Sequence, residues 1–342
     1  MKLNRLWLGA VALLSASALA LTGCGSTEGS GATGAGDGAP AVQKEVKELT
    51  IGFLQKQLDA PYFNAMKIEA ERISKEQGFK LLFQSANGDP VTQLNQAQTM
   101  LSQGADALIV NAISPETQKT QLQAIANNIP LIFVDTGIPD VGVTAVTSDN
   151  FEIGKLSGEL TAKRFTKGKS IDVGILTGGA NDEIVGPQRQ KGFLDGLTAG
   201  GIPYKVVAES PAVWAQDKAV PVAESMLAAH PDVQLIIGLN DAMALGALTV
   251  LQDQKNTTTL VAASADGQKE ALAKIKEGGC EGQYVSTGLN SPSLATERGM
   301  EIAISIATGQ KTAKDFDKEE FTKAAGINCD NVDEFYSADN VF

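Results

Sequence analysis

Histidine is almost missing from this 342-residue chain: the one present, His230, precedes Pro231 at the end of an amphipathic stretch. A lone imidazole there is poorly placed as a general base, and there is no G-x-S-x-G, H-E-x-x-H or C-x-x-C. The usual marks of acyl transfer, zinc chemistry and thiol redox chemistry are thus lacking, and no catalytic residue, metal or cofactor is expected. Basic residues are outnumbered, 28 Lys and Arg against 40 Asp and Glu, for a net charge of −12. An acidic chain without basic blocks argues against nucleic acid as a partner. After Leu21 no apolar run approaches the roughly 20 residues that a spanning helix requires. Cysteine is confined to Cys24, Cys280 and Cys329.

What is present begins with a sorting signal. Lys2 and Arg5 precede an apolar run from Leu6 to Leu21, and small residues Thr22 and Gly23 follow. This layout is that of a secretory signal, expected over residues 1–23. Leu21-Thr22-Gly23-Cys24 further resembles the lipobox of bacterial lipoproteins, in which cleavage precedes a cysteine that is then lipidated. An ordinary signal peptide with an incidental cysteine is the plainer alternative. Residues 24–44, almost all Gly, Ser, Thr and Ala as far as Pro40, form a flexible tether with nothing to bury. Gly34 to Ala39 matches G-x-G-x-x-A, but no strand leads into it and no helix opens from it, so it is not a nucleotide loop. In an exported protein Cys280 and Cys329 either form a disulfide or stay free and buried; a Gly-rich turn around one and a polar C-terminal setting for the other favour the bridge.

The remaining length, about 300 residues, suits two domains. Short apolar runs alternate with amphipathic stretches: Leu49–Leu54 then Tyr62–Lys75, Lys80–Phe83 then Val91–Ser102, Ala107–Val110 then Pro115–Asn127, and Pro130–Val134. After Val143–Thr147 the rhythm restarts with Ile171–Leu176, Tyr204–Ala208, Val233–Ile237 and Thr259–Ala263, each followed by a helical pattern. Strands buried on both faces and joined by helices imply parallel sheets, so the fold class is α/β, two doubly wound parallel-sheet lobes. Ligands of such sheets bind beyond the carboxyl ends of the strands. The residues there are Lys56 to Phe63, Asn111, Asp135-Thr136, Asn240-Asp241 and Asp266. Singly, Asp135, Asn240 and Asp266 read as helix caps or turn residues; at equivalent places in two lobes they make a cleft.

The run Ala229 to Ala247, with Asp59-Ala-Pro-Tyr-Phe63, Val134-Asp135, Ser148-Asp-Asn150, Arg189-Gln-Lys-Gly-Phe193 and Ala265-Asp-Gly267, resembles the ribose-binding type of periplasmic sugar-binding protein, over roughly residues 46 to 315. The resemblance implies two lobes joined by a three-segment hinge, closing on one monosaccharide or related polyol and delivering it to an ABC importer. It implies permease subunits as partners, a monomer, and a place outside the cytoplasm, lipid-anchored at the outer face of the cytoplasmic membrane or in the periplasm. Lac-type repressors share the fold but would carry a helix-turn-helix where this chain has its signal.

Carried over residue by residue, Tyr62, Phe63 and Trp214 match the aromatics that sandwich the sugar, Asp135, Arg189 and Asp266 its charged hydroxyl partners, and Asn111, Asn240 and Asn290 its amides. Flat rings suit the C–H face of a sugar, and charged or amide groups its hydroxyl rim. Trp214 as plain core and Arg189 as a surface ion pair remain the bland alternatives. Ala60, Thr136 and Ala265 stand where ribose binders carry Asn, Arg and Phe, so the sugar is left unassigned; Lys56 and Asp59 are candidates for replacement contacts. The hinge is expected near Ser148–Asn150, Asn290–Pro292 and Phe316–Glu320, giving one lobe of 45–148 with 291–318 and another of 149–290 with 319–342. Alternatives are a sensing role beside a chemoreceptor or kinase, or a non-sugar ligand such as a nucleoside or signalling furanose. A glycosidase-like carboxylate pair is disfavoured because Asp135 and Asp266 already have binding roles in the resemblance.

Overall fold

The computed structural model describes residues 44–180, 182 and 184–342; the signal peptide, Cys24 and the tether as far as residue 43 lie outside the described residues. The first round of the chain runs β1 (Thr50–Gln55), α1 (Pro61–Gln77), β2 (Lys80–Ser85), α2 (Pro90–Ser102), β3 (Ala107–Val110), α3 (Pro115–Ala126), β4 (Leu131–Val134) and β5 (Ala145–Thr147). Proline at the first turn of α1, α2 and α3 starts each helix where a missing N–H costs nothing. Gly78, at φ 83°, closes α1. The second round runs α4 (Asn150–Ala162), β6 (Ile171–Thr177), α5 (Val185–Ala199), β7 (Tyr204–Pro211), α6 (Gln216–Ala229), β8 (Leu235–Gly238), α7 (Asp241–Asp253), β9 (Leu260–Ala263), α8 (Lys269–Gly278) and β10 (Ser286–Gly288). Then α9 (Pro292–Ala307), β11 (Glu319–Phe321) and β12 (Gly326–Asn328) complete it.

The first lobe is a parallel six-stranded sheet in the order β11-β5-β4-β3-β1-β2. Its strands are buried on both faces because successive residues point to opposite layers. Ile51 and Phe53 pack with Met66, Ile73 and Met300 on one side, whereas Leu54, Leu108 and Val110 pack with Met100, Leu122 and Ile125 on the other. The second lobe has a parallel sheet β7-β6-β8-β9 around a core that includes Ile175, Phe193, Ile237 and Leu251, and an antiparallel ribbon of β10 with β12. Two isolated bridges, Val261 to Tyr284 and Asp266 to Leu289, tie the chain around the ribbon to the sheet.

The chain passes between the lobes after β5, after β10 and after β11. The third passage lies beyond the expected boundary at residue 318. Glu319–Phe321 pairs in parallel with Ala145–Thr147, so β11 belongs to the first lobe and the return begins at Thr322. Helices α4 and α9 are two elements that hydrophobic periodicity did not bring out. Cys280 and Cys329 form a disulfide with Cα atoms 5.1 Å apart, fastening the segment after β12 to the turn that follows α8.

Candidate ligand-binding cleft

Both sheets direct their carboxyl ends at the crossing region, as doubly wound sheets do. In the first lobe, Gln55 at the end of β1 is fully buried, and its Oε1 accepts from the Asn111 amide at 3.0 Å and from the Lys56 N–H at 2.8 Å. That fixes the next residue, Lys56, whose Nζ donates to Thr136 Oγ1 at 2.9 Å and lies 3.7 Å from Asp135 Oδ2 and 5.6 Å from the centre of the Phe63 ring. Burial lowers the Lys56 ammonium below its ordinary range, and Asp135 opposes that shift. Asn111 spends its amide N–H on Gln55, while its Oδ1 is buried with no partner among the described residues.

In the second lobe Arg189 from α5 is 4 % exposed and held on three sides. Its Nε donates to Asn150 Oδ1 at 2.9 Å, and one terminal nitrogen donates to the Leu239 carbonyl at 3.1 Å and to Asp266 Oδ1 at 3.2 Å. The guanidinium also lies 5.6 Å from the centre of the Trp214 ring. Asp266 Oδ1 accepts from Asn290 Nδ2 as well, at 3.2 Å, which leaves Oδ2 without a partner among the described residues. Burial raises the Asp266 carboxyl above its usual range, and Arg189 and the Asn290 bond pull it back. Asn290 spans the lobes: its Oδ1 accepts from Tyr62 at 3.1 Å and from Ser148 at 2.8 Å. Burial followed by the charges of Asp135 and Asp266 pushes the Tyr62 phenol far up, so this ring sits between carboxylates of both lobes.

Three of these residues hold backbone that L side chains seldom adopt: Asp135 at φ 61°, Trp214 at 66° and Asp266 at 128°. Strained backbone of this sort persists where the surrounding fold enforces it, and it gathers at binding sites. Trp214 is admitted by Gly178, where a Cβ would lie 2.2 Å from the indole. The assembly links carboxylate acceptors, a rigid guanidinium fork, amides and flat apolar rings in one network, the set suited to a small ligand with an apolar face and a rim of hydroxyls.

Comparison with known proteins places the fold. The periplasmic binding protein domain family matches residues 51–311. The chain belongs to the periplasmic binding protein family. Among its relatives are the ribose import binding protein of Haemophilus influenzae, 30 % identical over 77 % of this chain and 87 % of that one, and the xylitol-binding protein of Mycolicibacterium smegmatis, 26 % identical over 95 % and 86 %. A solved ABC transporter solute-binding protein of Mycobacterium smegmatis with bound glycerol superimposes with a TM-score of 0.76 at 26 % identity, over 86 % of this chain and 98 % of that one.

Within this periplasmic binding protein the residues expected to face the ligand are placed unequally. Lys56, Phe63, Tyr62, Asn111, Asp135, Arg189, Trp214, Asp266 and Asn290 converge through the contacts above. Asn240 joins by a different route: its Oδ1 caps α7 by accepting from the Met243 N–H at 3.0 Å, and its amide donates to the Trp214 carbonyl at 3.3 Å, so it fastens the indole segment. Asp59 is exposed and makes no hydrogen bond or ion pair with the described residues, so no contact joins it to the others. One residue missed from the sequence is Asp182. Its Oδ1 accepts from the Gly186 N–H at 3.0 Å, and its Oδ2 crowds Gly178 beside the indole. Burial raises its carboxyl, against the pull of Gly186, Arg189 and Lys56. Its position in the loop after β6 was the available signal.

Proposed function

We propose that this periplasmic binding protein captures a monosaccharide or a related polyol outside the cytoplasm by lobe closure and delivers it to an ABC importer. The observation that carries the reading is the Asp266 carboxylate. One oxygen is fixed by Arg189, itself beside Trp214, and by Asn290, itself bonded to Tyr62, and the other has no partner among the described residues. A ligand hydroxyl donating to Oδ2 forms a charge-assisted bond, about twice as strong as a neutral one, and the acceptor is already oriented. In the first lobe the partly accessible Lys56 and Asp135, beside Phe63, take a second hydroxyl, so each lobe holds part of the ligand and the closed form is favoured by contacts the open form lacks. The relatives are named for ribose and xylitol, and the solved neighbour holds glycerol, all polyhydroxylated and uncharged.

Lys56 supplies the cationic donor that ribose binders place at the position of Thr136; the Lys56 to Thr136 bond is consistent with that exchange. The protein binds and releases its ligand unchanged, acts as a monomer, and is held at the membrane through lipid on Cys24. Thermal melting of the Cys24→Ser full chain against pentoses, hexoses, deoxy sugars and polyols tests the reading. Ligand at about 100 times its Kd adds about 2.7 kcal/mol, or about 5 °C for a chain of this size, and the rise is lost in Asp266→Asn. A folded protein that answers to none of the panel overturns it.

A further inference from the structure

The segment after β11 crosses to the second lobe, is fastened there, and comes back. Its fastenings are the β10–β12 ribbon, the Cys280–Cys329 disulfide, buried Val332, and Phe335 and Tyr336 packed against the second-lobe core. Lys276 lies over the Tyr336 ring at 5.3 Å, Lys269 Nζ donates to the Asn340 carbonyl at 2.8 Å, and the Asn340 amide donates to the Phe335 carbonyl at 3.1 Å. Two residues beyond Asn340, the Phe342 ring packs with the first-lobe core, edge-on to Tyr62, with centroids 5.6 Å apart and planes at 87°. Tyr62 is the ring whose hydroxyl bonds Asn290 inside the cleft.

We propose that residues 337–342 form a strap between the lobes and that Phe342 is a positioning residue for the cleft. The strap holds Tyr62 in its ligand-facing orientation and biases the lobes toward closure before ligand arrives. Separating the lobes moves Tyr62 away from a segment tied to α8 through Lys269, so the aromatic contact exists only in the closed arrangement. An edge-to-face pair of this kind shifts a two-state equilibrium by roughly 2- to 10-fold. The same contact slows ligand release, because opening must break it.

The inference rests on the reading of the cleft as a closing site for a polyhydroxylated ligand, and the test separates the two. Spin labels at Val91→Cys on α2 and Lys218→Cys on α6, both well exposed, report the distance between lobes in the Cys24→Ser full chain. Without ligand, Phe342→Ala raises the open-to-closed ratio by roughly 2- to 10-fold, and Lys269→Met, which frees the anchor without touching Tyr62, moves it the same way. Ribose, xylitol and myo-inositol are then added in turn. A wild type that closes on one of them while both variants keep the wild-type ratio overturns the strap alone. A wild type whose distances change with none of them overturns the closing site, while the strap stands or falls on the ligand-free ratio of the two variants.

Discussion

Replacing Asp241 by Asn should remove the share that Asp241 contributes to the pH dependence of wild-type stability between about pH 4 and pH 7. Asp241 is wholly buried at the start of α7, beneath the turn that carries Asp266. Its Oδ2 accepts from the N–H groups of Gly267 and Gln268, both at 2.7 Å, and its Oδ1 from the Tyr284 hydroxyl at 2.5 Å. Burial, then the nearby charge of Asp266, pushes its carboxyl up to about 7, against those hydrogen bonds. In the unfolded chain an aspartate titrates near 3.9, so between the two values the folded state binds the extra proton. Stability therefore falls as pH rises through that window and levels off above about pH 7. Three units at 1.36 kcal/mol each is about 4 kcal/mol. The amide of the Asp241→Asn variant stays neutral, keeps a carbonyl for the two backbone N–H groups and can donate to the Tyr284 oxygen, so the variant loses little at low pH and gains on wild type as pH rises. Urea denaturation of both proteins from pH 4.5 to 8 measures this. Asp182, Asp266 and Glu297 are also raised, so only the difference between the two curves counts. A difference that stays constant within about 0.5 kcal/mol across the range refutes the reasoning.

Arg189→Met strips the buried Asp266 carboxylate of its cation and should cost about 3–5 kcal/mol at pH 8, with a smaller loss toward acid pH because burial already raises this carboxyl and loss of the cation raises it further; melting at pH 8 and pH 5 checks the sign. Cys280→Ser with Cys329→Ser opens a loop spanning 49 positions, and chain-entropy arithmetic gives about 4 kcal/mol, read by denaturation of the oxidised wild type against the variant. Gly178→Ala places a methyl on the Trp214 indole and should quench or shift its fluorescence and weaken any sugar response while the melting temperature moves by only a few degrees.

The sheets were legible because their strands are short, wholly apolar and bounded by Gly, Pro or a polar residue: Ala107–Val110, Leu131–Val134 and Leu235–Gly238 are buried at every position. Helix α4 was not, for a reason its neighbour α5 makes plain. The two meet through Gly154, Gly158, Gly192 and Gly196, where any Cβ would come within about 2.5 Å of the facing backbone carbonyls. A helix buried by backbone contact has no apolar stripe to read. Strand β11 is three residues with exposed ends, and only its pairing with β5 makes it a strand.

The cleft was legible to the extent that strand ends predict it, and the limits are set by direction. Lys56 and Asp59 lie three positions apart after the same strand, yet Lys56, its N–H tied by the Gln55 side chain, bonds Thr136 beside Asp135, while Asp59 is exposed and bonds none of the described residues. Asn240 shows why cap and ligand roles cannot be separated by spacing: one amide does the capping and also secures Trp214, so its removal would loosen α7 and the indole together. The backbone conformation at Asp135, Trp214 and Asp266 is the part local pattern announces least: aspartate tolerates a positive φ better than most residues but seldom adopts it, and tryptophan has no such tolerance. Tertiary contacts impose it: Thr147 Oγ1 holds the Asp135 carbonyl at 3.0 Å, Asn240 holds that of Trp214, and Asp266 is clamped by backbone bonds to Gly288 and Asn290 at 2.8 and 3.0 Å. Thr147 and Gly288 lie outside the residues expected to face the ligand, whereas Asn240 and Asn290 are among them. Affinity should accordingly respond to Thr147, a residue outside that expected set whose loss releases the strain that aims Asp135.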